Sequence, residues 1–195
     1  MKNSSPLMKV HLCLMIAMMC GTVGGAVHFI IECVRSTASN ERLSNLTNVI
    51  LMAVILSMLA MGVTYLIKGY SKEAAKFYKA FMLFHVGVCV LSIIVNVFFY
   101  KLTALMAVIC ILTAFKALDL LIMTFGKDLG ERKTWILFYV IIGFDIIALI
   151  LAVINMMKIG FDFSFTGYVT ALIADGTIGL SVRGKYSNKK SRGSS

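Results

Sequence analysis

Six long apolar stretches constrain this chain more than any other feature of its sequence. A helix of about 20 apolar residues covers the ~30 Å hydrocarbon core of a bilayer. The stretches run approximately over residues 10–31, 46–67, 80–100, 102–125, 134–157 and 163–182. We therefore predict an all-α, polytopic integral membrane protein. Residues 1–182 would form one compact bundle of six transmembrane helices, and residues 183–195 a basic cytoplasmic tail.

The composition agrees with a membrane protein and excludes most soluble ones. Apolar residue types make up 59% of the 195 residues, charged types only 14%, and the mean hydropathy is +0.91. A water-soluble domain has about 45–50% apolar and about 25% charged residues. Most soluble enzymes, nucleic-acid-binding modules and disulfide-framed secreted domains are therefore excluded.

The first and sixth stretches are the least regular of the six. The first follows Lys2 and Lys9, as in a signal peptide, but its apolar run exceeds the ~7–15 residues of a signal-peptide core. We therefore expect it to be a retained helix. The sixth is diluted by Gly, Thr and Asp175, which makes it the weakest candidate span.

The distribution of positive charge predicts the orientation of the chain. With six spans, one side of the membrane carries 14 Lys and Arg residues and the other side carries 4. Short cytoplasmic loops are enriched in these residues, so both chain ends are expected in the cytoplasm, in an inner or plasma membrane. The net charge of +10 then reflects topology and attraction to anionic lipid headgroups, and we expect no nucleic-acid partner.

Four charged residues lie inside the predicted spans: Lys116 and Asp119 in the fourth, Asp145 in the fifth and Asp175 in the sixth. A charge at the centre of a span costs about 2.5–3.5 kcal/mol, so such residues are rare and usually face inward. Lys116 and Asp145 both lie ~15 Å from the cytoplasmic end of their spans. Their equal depth and opposite sign predict an ion pair.

The other two acids extend this predicted cluster. Asp119 is expected to share Lys116 through i,i+3 spacing, and Asp175 lies level with Asp119. Three acids and one base leave one acid without a cation unless it is protonated, hydrated or bound. Two interpretations stay open: a proton or cation relay, since carboxylates in spans serve that role, or an ion-pair cluster that fixes helix register.

A stripe of polar residues follows one face of the third span. His85, Cys89, Ser92 and Asn96 have 4-3-4 spacing, which places them on one side of a helix. We expect this face to point into the bundle, either as a polar path or through ordinary interhelical hydrogen bonds. Two potential ligands at i,i+4 do not make a metal site, and we expect no metal.

Small residues mark candidate helix contacts. Gly21 and Gly25 form a GxxxG pattern in the first span, which predicts a packing or dimer face and hence a possible homo-oligomer. Gly179 shares a face with Asp175 in the sixth span and would let a neighbouring helix approach.

A faint internal repeat links two spans. The sequence Leu-Met-Ala-Val occurs at 51–54 and again at 105–108, which hints at three related two-helix hairpins. Such an architecture resembles that of the small six-helix bacterial proteins of the HdeD-like family. The size and helix count are also similar to those of substrate-binding subunits of vitamin uptake systems, an architectural likeness alone.

These patterns support two main hypotheses for function. The first is a small transporter or channel-like protein with a polar, ionisable bundle interior. The second is a non-transporting structural, stress-response or accessory membrane protein whose buried charges only hold helices together. No phosphate loop, HExxH, GxSxG or dinucleotide fingerprint occurs, so we expect neither an enzyme nor a cofactor.

Overall fold

The chain folds into six helices joined by short connections. The computed structural model describes residues 5–69, 73–99, 103–126, 129–159 and 164–192, with side chains left undescribed at 158–159, 164–166 and 187–192. The helices are α1 Pro6–Arg35, α2 Ser39–Lys68, α3 Ala74–Phe98, α4 Ala104–Phe125, α5 Glu131–Ile159 and α6 Ser164–Arg192. The all-α prediction is confirmed for the described part of the chain.

Five of the six helices, α1 to α5, are long and apolar enough to cross a membrane. The sixth predicted span lies within α6, which does not reach that apolarity over its described residues. The helix extends to Arg192, into the segment predicted as a basic tail, and the last residues of that segment lie outside the described ranges.

Local sequence signals set several helix ends. The hydroxyl of Ser5 accepts a hydrogen bond from the backbone N–H of Met8, and Pro6 occupies the first helical turn of α1. The hydroxyl of Thr103 caps α4 in the same way. The C-terminal end of α2 is set by Gly69, which follows Lys68. Its φ of 67° lies in the left-handed region that glycine adopts without a steric penalty.

Consecutive helices pack side by side, and the ring closes where α6 meets α1 and α2. Connections of a few residues make consecutive helices antiparallel. The ends of α1, α3 and α5 therefore lie on the same face as the starts of α2, α4 and α6. We call this the α1–α2 face, and the opposite one, where α1 begins, the N-terminal face.

Helix α6 lies in the interior of the bundle, which explains its low apolarity. Every described side chain from Tyr168 to Val182 is buried or half-buried, and Ala174, Asp175 and Ile178 have no exposed surface. Helix α1, in contrast, exposes large apolar side chains such as Val10, as expected of a helix facing lipid. A helix surrounded by protein does not need an apolar outer face.

An apolar layer fills the bundle toward the N-terminal face. Met15, Leu59, Phe81, Leu120 and Ile178 are all fully buried there and belong to one cluster. Met15 and Phe81 meet over Gly62 of α2, where the first carbon of any side chain would lie 2.8 Å from Met15 Cε and 3.0 Å from Phe81 Cδ2. Glycine is therefore required at this position for close packing.

The predicted packing glycines have different surroundings. A side chain at Gly179 would lie 2.7 Å from Phe138 Cζ of α5, and one at Gly25 would lie 3.6 Å from Met52 Sδ of α2. At Gly21 no atom lies within 4 Å of that position. Within the chain Gly21 therefore does not serve as a packing residue, because it faces away from the bundle, and only its predicted role in a dimer contact stays open.

The tight site at Gly62 and the open site at Gly21 form a matched pair for mutagenesis. We expect Gly62→Leu to lower the free energy of unfolding by about 1–3 kcal/mol, because the added atoms displace Met15 and Phe81 from a filled layer. Gly21→Leu should leave it unchanged or raise it. Denaturant titration of both variants in detergent micelles measures this, and equal stabilities would contradict the described packing.

Candidate functional site

Lys116 of α4 joins two carboxylates from two other helices. Its Nζ lies 2.8 and 2.7 Å from the two carboxylate oxygens of Asp145 in α5, and 2.6 Å from Oδ2 of Asp175 in α6. All three side chains are buried, and Asp175 is completely so. The predicted ion pair between Lys116 and Asp145 is confirmed, and Asp175 is a third member.

The prediction that Asp119 shares Lys116 is wrong. Asp119 is half-buried, and no hydrogen bond or ion pair to it is found across the described ranges. Lys116 extends its side chain toward α5 and α6, where both carboxylates accept from it. The i,i+3 spacing would allow contact, but Asp145 and Asp175 use all three N–H groups of Lys116, so none is left for Asp119.

His85 of α3 completes the group. Its Nδ1 lies 3.5 Å from Oδ1 of Asp175, and both residues are almost fully buried. Neither ring nitrogen of His85 nor Oδ1 of Asp175 has a hydrogen-bond partner among the residues the structure describes. We refer to His85, Lys116, Asp145 and Asp175 as the charge cluster.

The charges of the cluster do not balance when the imidazole is neutral. With both acids ionised, two carboxylates then face a single ammonium, which leaves one net negative charge in a buried site. A proton on His85 would neutralise the cluster and give Asp175 Oδ1 a donor within reach. Buried polar groups normally have partners, so the atoms of His85 and Asp175 without one are the least usual feature of this cluster.

A cavity of about 230 Å³ lies against the cluster. All four residues of the predicted polar stripe, His85, Cys89, Ser92 and Asn96, line it, together with Lys116 and Asp145. The stripe therefore faces the bundle interior. Asn96 also donates from Nδ2 to the backbone carbonyl of Ser92, at 2.8 Å.

Other lining residues were not singled out from the sequence. Asn48 of α2, Thr113 of α4 and Tyr168 of α6 are polar members of the wall, and Phe29 of α1 is an aromatic one. Asn48 is 5% exposed although it lies in an apolar span, and that isolated polar residue was a usable signal. No such signal marks Tyr168 and Phe29 in the sequence, since aromatic residues near the ends of spans are common.

A second, wider pocket of about 870 Å³ opens on the α1–α2 face. Glu32, Arg35 and Glu41 are among its lining residues, and Phe29 borders both this vestibule and the inner cavity. Arg35 Nη1 lies 3.6 Å from Glu32 Oε1, so one of the two acids in the vestibule is paired. The vestibule therefore lies next to the inner cavity, on the α1–α2 side of the charge cluster.

Toward the N-terminal face the apolar layer separates the cluster from a second polar region. Phe81 lies one helical turn from His85, with ring centroids 5.8 Å apart, and has no exposed surface. Beyond it the Tyr65 hydroxyl donates to Ser181 Oγ at 2.7 Å, and a His11 ring nitrogen lies 3.0 Å from the Thr177 hydroxyl. Among the described residues, the cluster therefore has a cavity on one side and filled apolar packing on the other.

Comparison with protein-family models, with curated proteins and with solved structures finds no match to this chain. Its function must therefore be argued from the geometry of the cluster and the cavity.

Removing the ammonium of Lys116 should destabilise the protein more than neutralising Asp119, which lies outside the ion pairs. We expect Lys116→Met to lower the free energy of unfolding by about 3–5 kcal/mol, because two buried carboxylates lose their only close cation. The control Asp119→Asn should change it by less than about 0.5 kcal/mol. Denaturant titration in detergent provides the measurement.

A compensated variant separates charge from packing. Adding Asp145→Asn and Asp175→Asn to Lys116→Met removes the unpaired charges, so most of the lost stability should return. If the triple variant is as unstable as Lys116→Met alone, the ion pairs are not what stabilises this region.

Proposed function

We propose that this chain is a small transporter or channel-like protein that moves protons or small solutes through its bundle interior. We further propose that it spans an inner or plasma membrane six times, with both chain ends in the cytoplasm. The 14-to-4 division of Lys and Arg supports this orientation. The burial of α6 supports counting it as a sixth span, since a helix inside a bundle can be polar.

The observation that carries the proposal is the charge cluster beside an inner cavity, with His85, Lys116 and Asp145 in the cavity wall. A purely structural ion pair would be expected to lie in dry, filled packing with equal charges. Here the carboxylates outnumber the ammonium, His85 and Asp175 have unpaired atoms, and a cavity of about 230 Å³ adjoins them. Ionisable residues of this kind inside a membrane commonly serve as relays or binding sites.

The arrangement suggests a cycle with two states. A proton or solute enters through the vestibule, passes Phe29 and reaches the cluster. Binding changes the net charge of the cluster and with it the attraction between α4, α5 and α6. Opening the apolar layer around Phe81 would then connect the cluster to the N-terminal face, because a hydrophobic constriction excludes water and ions while it is closed.

The second candidate is a structural or accessory membrane protein. The observation that favours it is the full use of Lys116, whose three N–H groups are matched by three carboxylate oxygens. On that interpretation the cluster only ties α4, α5 and α6 together. Contact with anionic headgroups, through the basic residues of the N-terminal face, and a homo-oligomer through Gly21 are compatible with either candidate.

The orientation can be tested with single cysteines in a variant lacking the five native ones. We expect a cysteine introduced at Thr37, in the α1–α2 connection, to react with an impermeant maleimide in intact cells. A cysteine introduced at Gly130, before α5, should react only after the cells are permeabilised. The reverse labelling pattern would contradict the proposed orientation, and labelling of both in intact cells would contradict the span count.

Transport through the cluster can be tested in liposomes. We expect the wild-type protein to dissipate an imposed pH gradient, and His85→Gln or Asp175→Asn to reduce that flux at least about tenfold, because both remove the site that gains and loses charge. Asp119→Asn, which keeps the cluster intact, serves as the control. Wild-type flux at the level of empty liposomes, or unchanged flux in both cluster variants, would favour the structural candidate.

A further inference from the structure

We propose that the inner cavity binds a small organic cation, and that this cation and a proton on His85 occupy the cluster in alternation. The inference rests on the proposed transport function and adds a substrate class and a coupling to it. Four features of the site support it: the hydrogen bonds that Lys116 already makes, the net charge of the cluster, the size of the cavity and its aromatic wall residues.

The ammonium of Lys116 is not available to an anion in the cavity. It has three N–H donors, and each has a carboxylate oxygen at 2.6–2.8 Å, so none is left for a ligand. The buried atoms without a hydrogen-bond partner are the ring nitrogens of His85, which lines the cavity, and Oδ1 of Asp175, 3.5 Å from His85 Nδ1. A negatively charged ligand would also meet the excess negative charge of the two carboxylates.

A cation corrects the imbalance of charge. With neutral His85 the cluster carries one net negative charge, and a single positive charge in the cavity neutralises it. Charge-assisted hydrogen bonds to a buried carboxylate are stronger than those of a neutral ligand. The cavity should therefore discriminate a cation from a neutral compound of the same shape.

The size and the aromatic residues of the cavity point to an organic cation of few atoms. A volume of about 230 Å³ is below the usual range of drug-sized pockets, about 300–1,000 Å³. Phe29 and Tyr168 are part of its wall, and Leu51, Met52 and Ile55 supply an apolar surface. Aromatic faces attract cations, and apolar walls favour a ligand with a hydrocarbon part over a bare metal ion.

A proton on His85 supplies the same single positive charge that the ligand would supply. The ionisable groups that face this imidazole are Lys116 from α4, Asp145 from α5, Asp175 from α6 and Cys89 one turn along α3. Tyr65 of α2 and Tyr78 of α3 lie on the other side of Phe81. Once His85 is protonated the cluster is neutral, so the cation loses its electrostatic gain. The two occupants therefore compete, which is the requirement for exchange.

Three probes of equal shape test the substrate class. Benzylammonium, benzyl alcohol and benzoate differ in charge and little in size, and their binding is measured by isothermal titration calorimetry on the full chain in zwitterionic lipid nanodiscs at pH 7.5. We expect benzylammonium to bind at least about tenfold more tightly than benzyl alcohol, with no detectable binding of benzoate. Equal affinity for the charged and neutral probes, tighter binding of benzoate, or no binding of any probe would overturn the proposal.

Variants locate the site and test the competition. Asp175→Asn should reduce benzylammonium affinity to the level of benzyl alcohol, and the control Asp119→Asn should retain it within about twofold. Lowering the pH from 7.5 to about 4.5 should weaken benzylammonium binding about tenfold in the wild type and leave it unchanged in His85→Gln, because a buried imidazole beside an ammonium gains its proton only at low pH. Retention of the pH effect in His85→Gln would refute the competition. If Asp175→Asn does not fold, Asp145→Asn tests the same charge.

A failure of cation binding can be distinguished from a failure of the proposed transport function. Proton flux that depends on His85 and Asp175, with no preference for benzylammonium, would keep the transport proposal and reject the organic cation. Cation binding at the cluster with no flux of protons or benzylammonium would keep the site and indicate a sensor or accessory protein in place of a transporter.

Discussion

One buried ammonium determines how half of this bundle is assembled. Lys116 cannot reach water from the centre of α4, and in lipid an unpaired charge is too costly to persist. It therefore contacts Asp145 and Asp175, at 2.6–2.8 Å, and this contact fixes the rotation of α4, α5 and α6 about their axes. The position of α6 in the interior follows, because Asp175 must reach the centre of the bundle.

The surroundings of the same cluster differ on its two sides. On one side lie the inner cavity and the neighbouring vestibule, with Phe29 in the wall of both, and on the other lies the apolar layer around Phe81. The proposed transport function depends on this asymmetry, because alternating access needs a binding site between two compartments that open in turn. A purely structural role for the cluster would not depend on the cavity.

Several features could be predicted from the sequence because they depend on one-dimensional periodicity and depth. The helix positions follow from the apolar runs. The ion pair of Lys116 and Asp145 follows from their equal depth on consecutive spans. The inward face of the stripe that contains His85 follows from its 4-3-4 spacing. The partner of Lys116 from α6 could not be predicted, since the rotation of a helix distant in sequence depends on the packing of the whole bundle. Asp119, closer along the chain, was the wrong choice for that reason. The cavity and the exposure of Gly21 also result from how several helices meet, and no single segment encodes them.

The most direct test of the account is the position of the Lys116 side chain in an experimental structure determined in lipid nanodiscs. The account predicts Nζ within hydrogen-bond distance of carboxylate oxygens of both Asp145 and Asp175, with ordered density for water or a ligand in the adjoining cavity. A Lys116 side chain that extends toward the lipid, or one paired with Asp119 while Asp175 lies apart, would contradict it.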